Sequence, residues 1–140
     1  MCLNAGGTTD RIAAVIQAYQ NYAQMLRHYS NSDFSPAAVG VLSEQEIIDS
    51  IDANAPIIAG ISPTIPFPPN LGFSQHAVVI VGYDGDADNL DVIINDPFPY
   101  PGFAVPYVQA GGRRLTYGRY ELPYQTFVDH FDYGNSITFN

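Results

Sequence analysis

Two β-branched runs constrain this chain most: Ala77-Val78-Val79-Ile80-Val81 and Val92-Ile93-Ile94, separated by the acidic segment Asp84 to Leu90. Uninterrupted apolar runs of this kind suit central strands covered on both faces, and a short polar connection joins neighbours as an antiparallel hairpin. Gly82 predicts a bend or a close backbone approach at the end of the first strand. The hairpin fixes more than two strands. It brings His76, at the mouth of the first, to the same open end as Asp96, at the end of the second. Imidazole titrates near neutrality, and a carboxylate on one ring nitrogen fixes the tautomer so that the other nitrogen can take a proton. His76 and Asp96 are therefore the candidate catalytic pair. Each also has an ordinary reading alone, since a His at a strand start can bond backbone and Asn95-Asp96-Pro97 is a turn initiator whose carboxylate caps nearby amides.

Upstream, Ile12, Val15, Ile16, Tyr19, Tyr22, Ala23 and Leu26 recur at three- and four-residue steps, which predicts a helix from about Asp10 to His28 with one apolar, Tyr-rich face. The stripe reads most simply as packing on a sheet, and His28 as a cation in the last turn of the helix. Asn31 to Gly40 reads as a loop. Ser43 with Glu46 makes a capping box for a short helix ending near Ala53, and Pro56 to Ile61 follows as a short buried strand. Pro63, Pro66, Pro68 and Pro69 exclude a central strand over 63–70, because each removes a backbone donor. That segment is an extended loop leading into the His76 strand, so Pro66 and Phe67, with Gln75 beside His76, are the candidate substrate-binding residues. Beyond Phe98 the chain is rich in Pro, Gly and Tyr as far as Tyr107. Arg113 to Tyr120 reads as a strand of a hairpin turned by Gly111-Gly112, Leu122 to Phe131 as a short helix entered through Pro123, and Ile137-Thr138-Phe139 as a last edge strand. The fold class is α+β, one domain over 1–140, with N-terminal helices packed on an antiparallel β-sheet.

Composition narrows the partners. The 140 residues are 46% hydrophobic and 14% charged, enough apolar material for a core without disulfides. There is no Lys, and Arg11, Arg27, Arg113, Arg114 and Arg119 stand in a chain of net charge −9, which excludes a phosphate-binding footprint and so nucleic acid. No apolar run approaches a bilayer's thickness and no basic region precedes an apolar core, so neither a membrane span nor a signal peptide is expected; a secreted and a cytoplasmic location both stay open. The alternate carboxylates of Asp84 to Asp91 resemble an oxygen-ligand loop. However, Asn89 and Asn95 stand where a Ca²⁺ loop of the EF-hand type needs its Gly and its closing Glu. The segment reads as a solvated hairpin turn, and His130 with Asp129 and Asp132 as wet surface, so neither a metal nor another cofactor is expected. The single cysteine, Cys2, permits no internal disulfide.

The strand His76-Ala77-Val78 to Val81-Gly82-Tyr83, followed by Asp96-Pro97, resembles the second half of a papain-like cysteine peptidase, in the bacterial branch of leader peptidases and secreted or effector proteases. Leu42 to Ile48 followed by Ala55 to Ile61 is similar to the family's short helix and strand before the His, so the resemblance spans about residues 40 to 131. It implies a papain-like fold, a peptide or protein substrate, and a Cys-His-Asp triad in which His76 pairs with a thiolate and Asp96 orients the ring. The nucleophile is where the chain departs from the pattern. The family carries its Cys at the start of a long buried helix, with an upstream Gln for the oxyanion hole. Cys2 has only Met1 before it and lies in Cys2-Leu3-Asn4-Ala5-Gly6-Gly7, ahead of the helix and without the helix-terminal position that lowers a thiol pKa. That run resembles the loop after the nucleophile's helix, and Gln75 does not replace the upstream Gln. The expectation is a partial papain-like domain, N-terminally truncated relative to the family and inactive as a peptidase by itself, its nucleophile unassigned. The position of Cys2 argues against that residue, although a swapped assembly in which Cys2 of this or a second chain reaches His76 stays open. The alternative is a non-catalytic peptidase-like module that holds a peptide in the retained cleft. A lost partner domain would expose apolar surface, which predicts a dimer or higher oligomer.

Overall fold

A computed structural model describes residues 8–25, 36–63 and 76–139, with side chains in the first stretch from 8 to 18. Cys2, His28, Pro66, Phe67 and Gln75 lie outside the described residues, as do the side chains of Tyr19, Tyr22, Ala23 and Leu26. In chain order the elements are α1 (Thr9–Met25), β1 (Ala37–Val39), α2 (Glu44–Asp52), β2 (Ile57–Ile61), β3 (His76–Asp86), β4 (Asn89–Asn95), α3 (Pro106–Gln109), β5 (Arg113–Thr116), β6 (Arg119–Pro123), α4 (Tyr124–Asp129) and β7 (Asn135–Thr138). The seven strands make one sheet in the order β1-β7-β2-β3-β4-β6-β5, antiparallel at every pairing. The class is α+β, with both N-terminal helices on the sheet: α1 against β1 and β7, α2 against β2 and β3.

Alternation along the strands sets the core. Ile57, Ala59 and Ile61 of β2, Val78 and Ile80 of β3 and Leu90, Val92 and Ile94 of β4 are buried on one face, where they meet Ile47 of α2 and Phe127 of α4. Burying each of the larger side chains contributes roughly 1.5–3 kcal/mol. The opposite face is only half covered at Ile58, Val79, Val81 and Ile93, which corrects the expectation of strands sealed on both sides. The reason is that α1 lies over the β1–β7 end and leaves the β3–β4 pair partly open. Within α1, Ala13 is buried and Ile12 and Ile16 half-buried, while Val15 is 46% exposed, because the contact stripe is centred one residue away from it. The capping box forms as expected: Glu46 N–H donates to Ser43 Oγ at 3.3 Å and Ser43 N–H to Glu46 Oε2 at 2.7 Å.

Other expectations are corrected. Within the stretch read as a loop, 37–39 forms β1, which pairs with β7 and makes Asn135–Thr138 an interior strand rather than an edge. The Arg113 to Tyr120 run holds β5 and the start of β6, which continues to Pro123, so Leu122 and Pro123 end a strand and the helix expected from Leu122 begins at Tyr124. The hairpin turns at Tyr117-Gly118, where Gly118 has φ +74°, and Gly111, at φ +99°, follows α3 instead. The short helix α3 inside the Pro- and Tyr-rich segment was not legible, since it holds only four residues. Last, β3 continues past Gly82 to Asp86, so the polar connection narrows to Ala87-Asp88.

An irregularity near Gly82 decides which face of the sheet His76 occupies. At the turn end, partners sum to 175, as in Asp86 with Asn89; beyond a bulge between Ile80 and Gly82 they sum to 174, as in Val79 with Asn95. Partners share a face, and a one-residue change of register exchanges the faces. In a ladder unbroken from the turn, His76 and Asp96 would sit on opposite sides of the sheet. The extra residue, Val81, puts them on the same side.

Candidate active site

Asp96 follows β4 and has no exposed surface. Its amide donates to the Gly118 carbonyl at 2.8 Å, and a Cβ on Gly118 would stand 3.2 Å from the Asp96 carbonyl oxygen, so the β5–β6 turn is pressed directly onto this residue. Four donors converge on the carboxylate. Oδ1 accepts from His76 Nε2 at 2.8 Å and from the Phe98 amide at 3.0 Å; Oδ2 accepts from Tyr100 Oη at 2.8 Å and Tyr107 Oη at 2.6 Å. A carboxylate has about four acceptor positions, so this one is saturated. The two sequence readings of Asp96 coexist, because Oδ1 caps an amide two residues on while also holding the histidine ring.

Burial pushes the Asp96 carboxyl upward, but the hydrogen bonds from His76, Tyr107 and the Phe98 amide, with the attraction of the ring, outweigh it and hold the group below the ordinary carboxylate range. The phenols move the other way. Burial first pushes both Tyr100 and Tyr107 far above the usual tyrosine range; Asp96 adds to this at Tyr100 against an opposing bond from Tyr107, and Tyr100 and then Asp96 add to it at Tyr107, so both remain protonated donors. An ionised carboxylate only accepts, which places a proton on His76 Nε2 and directs proton exchange of the neutral ring to Nδ1.

The His76 side chain is 17% exposed, against none for Asp96. It stands edge-on to Phe98, with ring centroids 6.3 Å apart and planes at 85°. It also lines a groove of about 450 Å³, shared with Thr8, Thr9 and Ile12 at the start of α1 and with Gly60 and Asn135 of the sheet. A Cβ on Gly60 would lie 1.9 Å from Asn135 Oδ1, so the Asn135 side chain packs directly over this glycine and would have to shift to admit one. His76 thus borders the groove and keeps some exposure, whereas Asp96 has none.

The structure brings together His76 and Asp96 of the sequence-derived candidates; the others lie outside the described residues. Tyr100 and Tyr107 were missed. The signal available was Asp96-Pro97-Phe98-Pro99-Tyr100, in which alternate prolines stiffen a short return toward the aspartate, but Tyr107 arrives only through the unforeseen α3. The acidic hairpin turn is exposed, and Asp86 Oδ1 is occupied by the amides of Asp88 and Asn89 at 2.9 and 3.1 Å. Of the arginines, Arg113 forks onto Glu121 through Nε at 3.1 Å and Nη2 at 3.2 Å, and Arg119 Nε reaches Asn95 Oδ1 at 2.8 Å. Among the described residues no group of three or more His, Cys, Asp or Glu could hold a metal, and no helix is long and apolar enough to cross a membrane.

The family model described as Peptidase_C39 like family matches residues 3–109, a span that includes His76, Asp96 and both tyrosines. No curated protein matches the chain.

Proposed function

The chain belongs to the Peptidase_C39-like family, and on that premise we propose that His76 and Asp96 are the base and the orienting carboxylate of a papain-like, cysteine-type peptidase. The observation that carries this reading is the 2.8 Å hydrogen bond from His76 Nε2 to a fully buried, fully bonded Asp96. In the reaction a thiol gives its proton to His76 Nδ1, and the thiolate attacks a peptide carbonyl. The imidazolium then protonates the leaving amine, after which the same nitrogen takes a proton from the water that cleaves the thioester. Asp96 keeps the ring in the required tautomer throughout and does not itself exchange the proton.

The chain supplies the His and the Asp of that enzyme, from the leader-peptidase or secreted-effector branch. Its substrate is a peptide or protein. The thiol is supplied by a segment other than Cys2. The test joins a helical segment carrying Gln and Cys in the family's arrangement to the N-terminus and assays peptide cleavage. Hydrolysis by the joined protein that disappears with His76→Ala supports the reading, whereas hydrolysis by the original chain that survives His76→Ala contradicts it.

A second reading is a non-catalytic module that holds a peptide, favoured by the 450 Å³ groove at His76. It predicts peptide binding that His76→Ala weakens, with no cleavage from the joined protein. Exposed Val15, Val39, Val41, Val108 and Leu115 keep the proposal of a dimer or higher oligomer, which a monodisperse monomer at micromolar concentration would contradict.

A further inference from the structure

We propose that Tyr100 and Tyr107 are positioning residues for His76, fixing the plane of the Asp96 carboxylate and keeping it charged so that it orients the ring without taking its proton. The inference rests on the peptidase reading of His76 and Asp96 and adds two residues to it.

The geometry separates the two carboxylate oxygens by task. Oδ1 accepts from His76 and the Phe98 amide, and among the described residues Oδ2 accepts from the two phenols alone. Without the phenols, Oδ2 would be a buried charged oxygen with no partner among the described residues. Two ways out would follow. The carboxylate could take up a proton, or its plane could turn toward the Phe98 amide; either would remove the charged acceptor from His76 Nε2.

The chain spends a whole segment on this arrangement. Pro97, Pro99 and Pro101 fix the backbone on either side of Phe98 and Tyr100, and the Tyr100 amide closes back on the Phe98 carbonyl at 3.0 Å. Pro106 then opens α3, where Tyr107 is fully buried against Tyr120 and Phe131, with ring centroids 4.9 Å away in each case. Tyr100 meets Tyr107 edge-on at 5.9 Å. The Pro- and Tyr-rich segment thus folds back around one carboxylate. The groups that face Asp96 are His76 from β3, Tyr100 from the loop, Tyr107 from α3 and Tyr120 from β6. Tyr120 bears on the carboxylate only through space, so the direct control lies with the other two phenols.

A purely space-filling role would let Tyr→Phe pass unnoticed, since the ring stays and only the hydroxyl leaves. The experiment follows the Asp96 carboxyl carbon and the His76 ring nitrogens by NMR from acid to neutral pH, in the wild-type chain and in Tyr107→Phe and Tyr100→Phe. We expect each variant to raise the midpoint of Asp96 protonation by about one pH unit, the shift that matches one hydrogen bond to a charged group, and to reduce the share of ring protonated on Nε2. Should Tyr107→Phe fail to fold, Tyr100→Phe decides alone, because Tyr100 lies in a loop at the edge of the core. Unchanged midpoints and an unchanged tautomer in the folded variants overturn the inference and leave the peptidase reading standing. A wild-type ring protonated on Nδ1 overturns both.

Discussion

At the closed end of the β3–β4 hairpin, Asp86 is exposed and its Oδ1 accepts from the amides of Asp88 and Asn89; at the open end, Asp96 is fully buried and accepts from His76, Phe98, Tyr100 and Tyr107. Both are aspartates that bond an amide two residues on. What separates them is burial and the identity of the added donors. In water the carboxylate of Asp86 competes with solvent and shapes a turn, whereas in the interior every lone pair of Asp96 has to be satisfied by protein, and one of those partners is an imidazole with an accessible side. The Val81 bulge lies between the two ends and allows each its own register.

The largest expected effect breaks the buried end outright. Asp96→Ala strands the donors of His76, Tyr100 and Tyr107 around a cavity and should cost about 3 kcal/mol or more in urea-induced unfolding, since each buried donor left without a partner costs about 1–3 kcal/mol. A loss no larger than that of a surface change would remove the distinction between the two ends. Tyr107→Phe comes next: deleting one hydrogen bond to a charged group should cost roughly 1.5–3 kcal/mol by the same measurement.

The pH dependence sharpens the comparison. Because the folded-state pKa of Asp96 is depressed, its contribution to stability is fully present above the unfolded value of about 3.9 and is lost as pH falls through the lower folded value. Thermal unfolding followed from neutral pH to below about pH 4 should show this loss in the wild type and lack the Asp96 share in Asp96→Asn. A loss of the same size in both would assign the acid sensitivity to other groups.

Gly118→Ala tests the backbone support of the open end. A side chain at φ +74°, 3.2 Å from the Asp96 carbonyl, should cost about 1–2 kcal/mol. Asp86→Ala, at the closed end, should shift the urea midpoint least of all, since solvent replaces what it removes. A large effect there would mean that the exposed turn, and not the buried carboxylate, holds the hairpin together.

How much of the fold and the site was legible depended on the range over which each feature is determined. The β3–β4 pairing, the α2 capping box and the placement of His76 and Asp96 at the same open end of the hairpin depend on residues close in sequence or joined by a short turn, and all three could be read directly. The position of β7 could not, because Asn135–Thr138 is interior only through its pairing with β1, far away in the chain. Gly111-Gly112 read as the hairpin turn, whereas the turn falls at Tyr117-Gly118, between β5 and the β6 strand that pairs with β4. The shared face of His76 and Asp96 hung on a one-residue bulge that carries no sequence signal beyond the adjacent Gly82. Tyr107 was hidden for a similar reason, since its approach to Asp96 depends on the path of the whole intervening segment and on a four-residue helix.

The ring-nitrogen spectrum of His76 in the wild-type chain at neutral to mildly alkaline pH tests the central claim most directly, because an imidazole held by an ionised Asp96 can carry its proton in only one place. Protonation on Nε2, removed by Asp96→Ala, is the predicted result. Protonation on Nδ1, or a mixture that Asp96→Ala leaves unchanged, would mean that the pair is not coupled in solution and that the peptidase chemistry assigned to it is wrong.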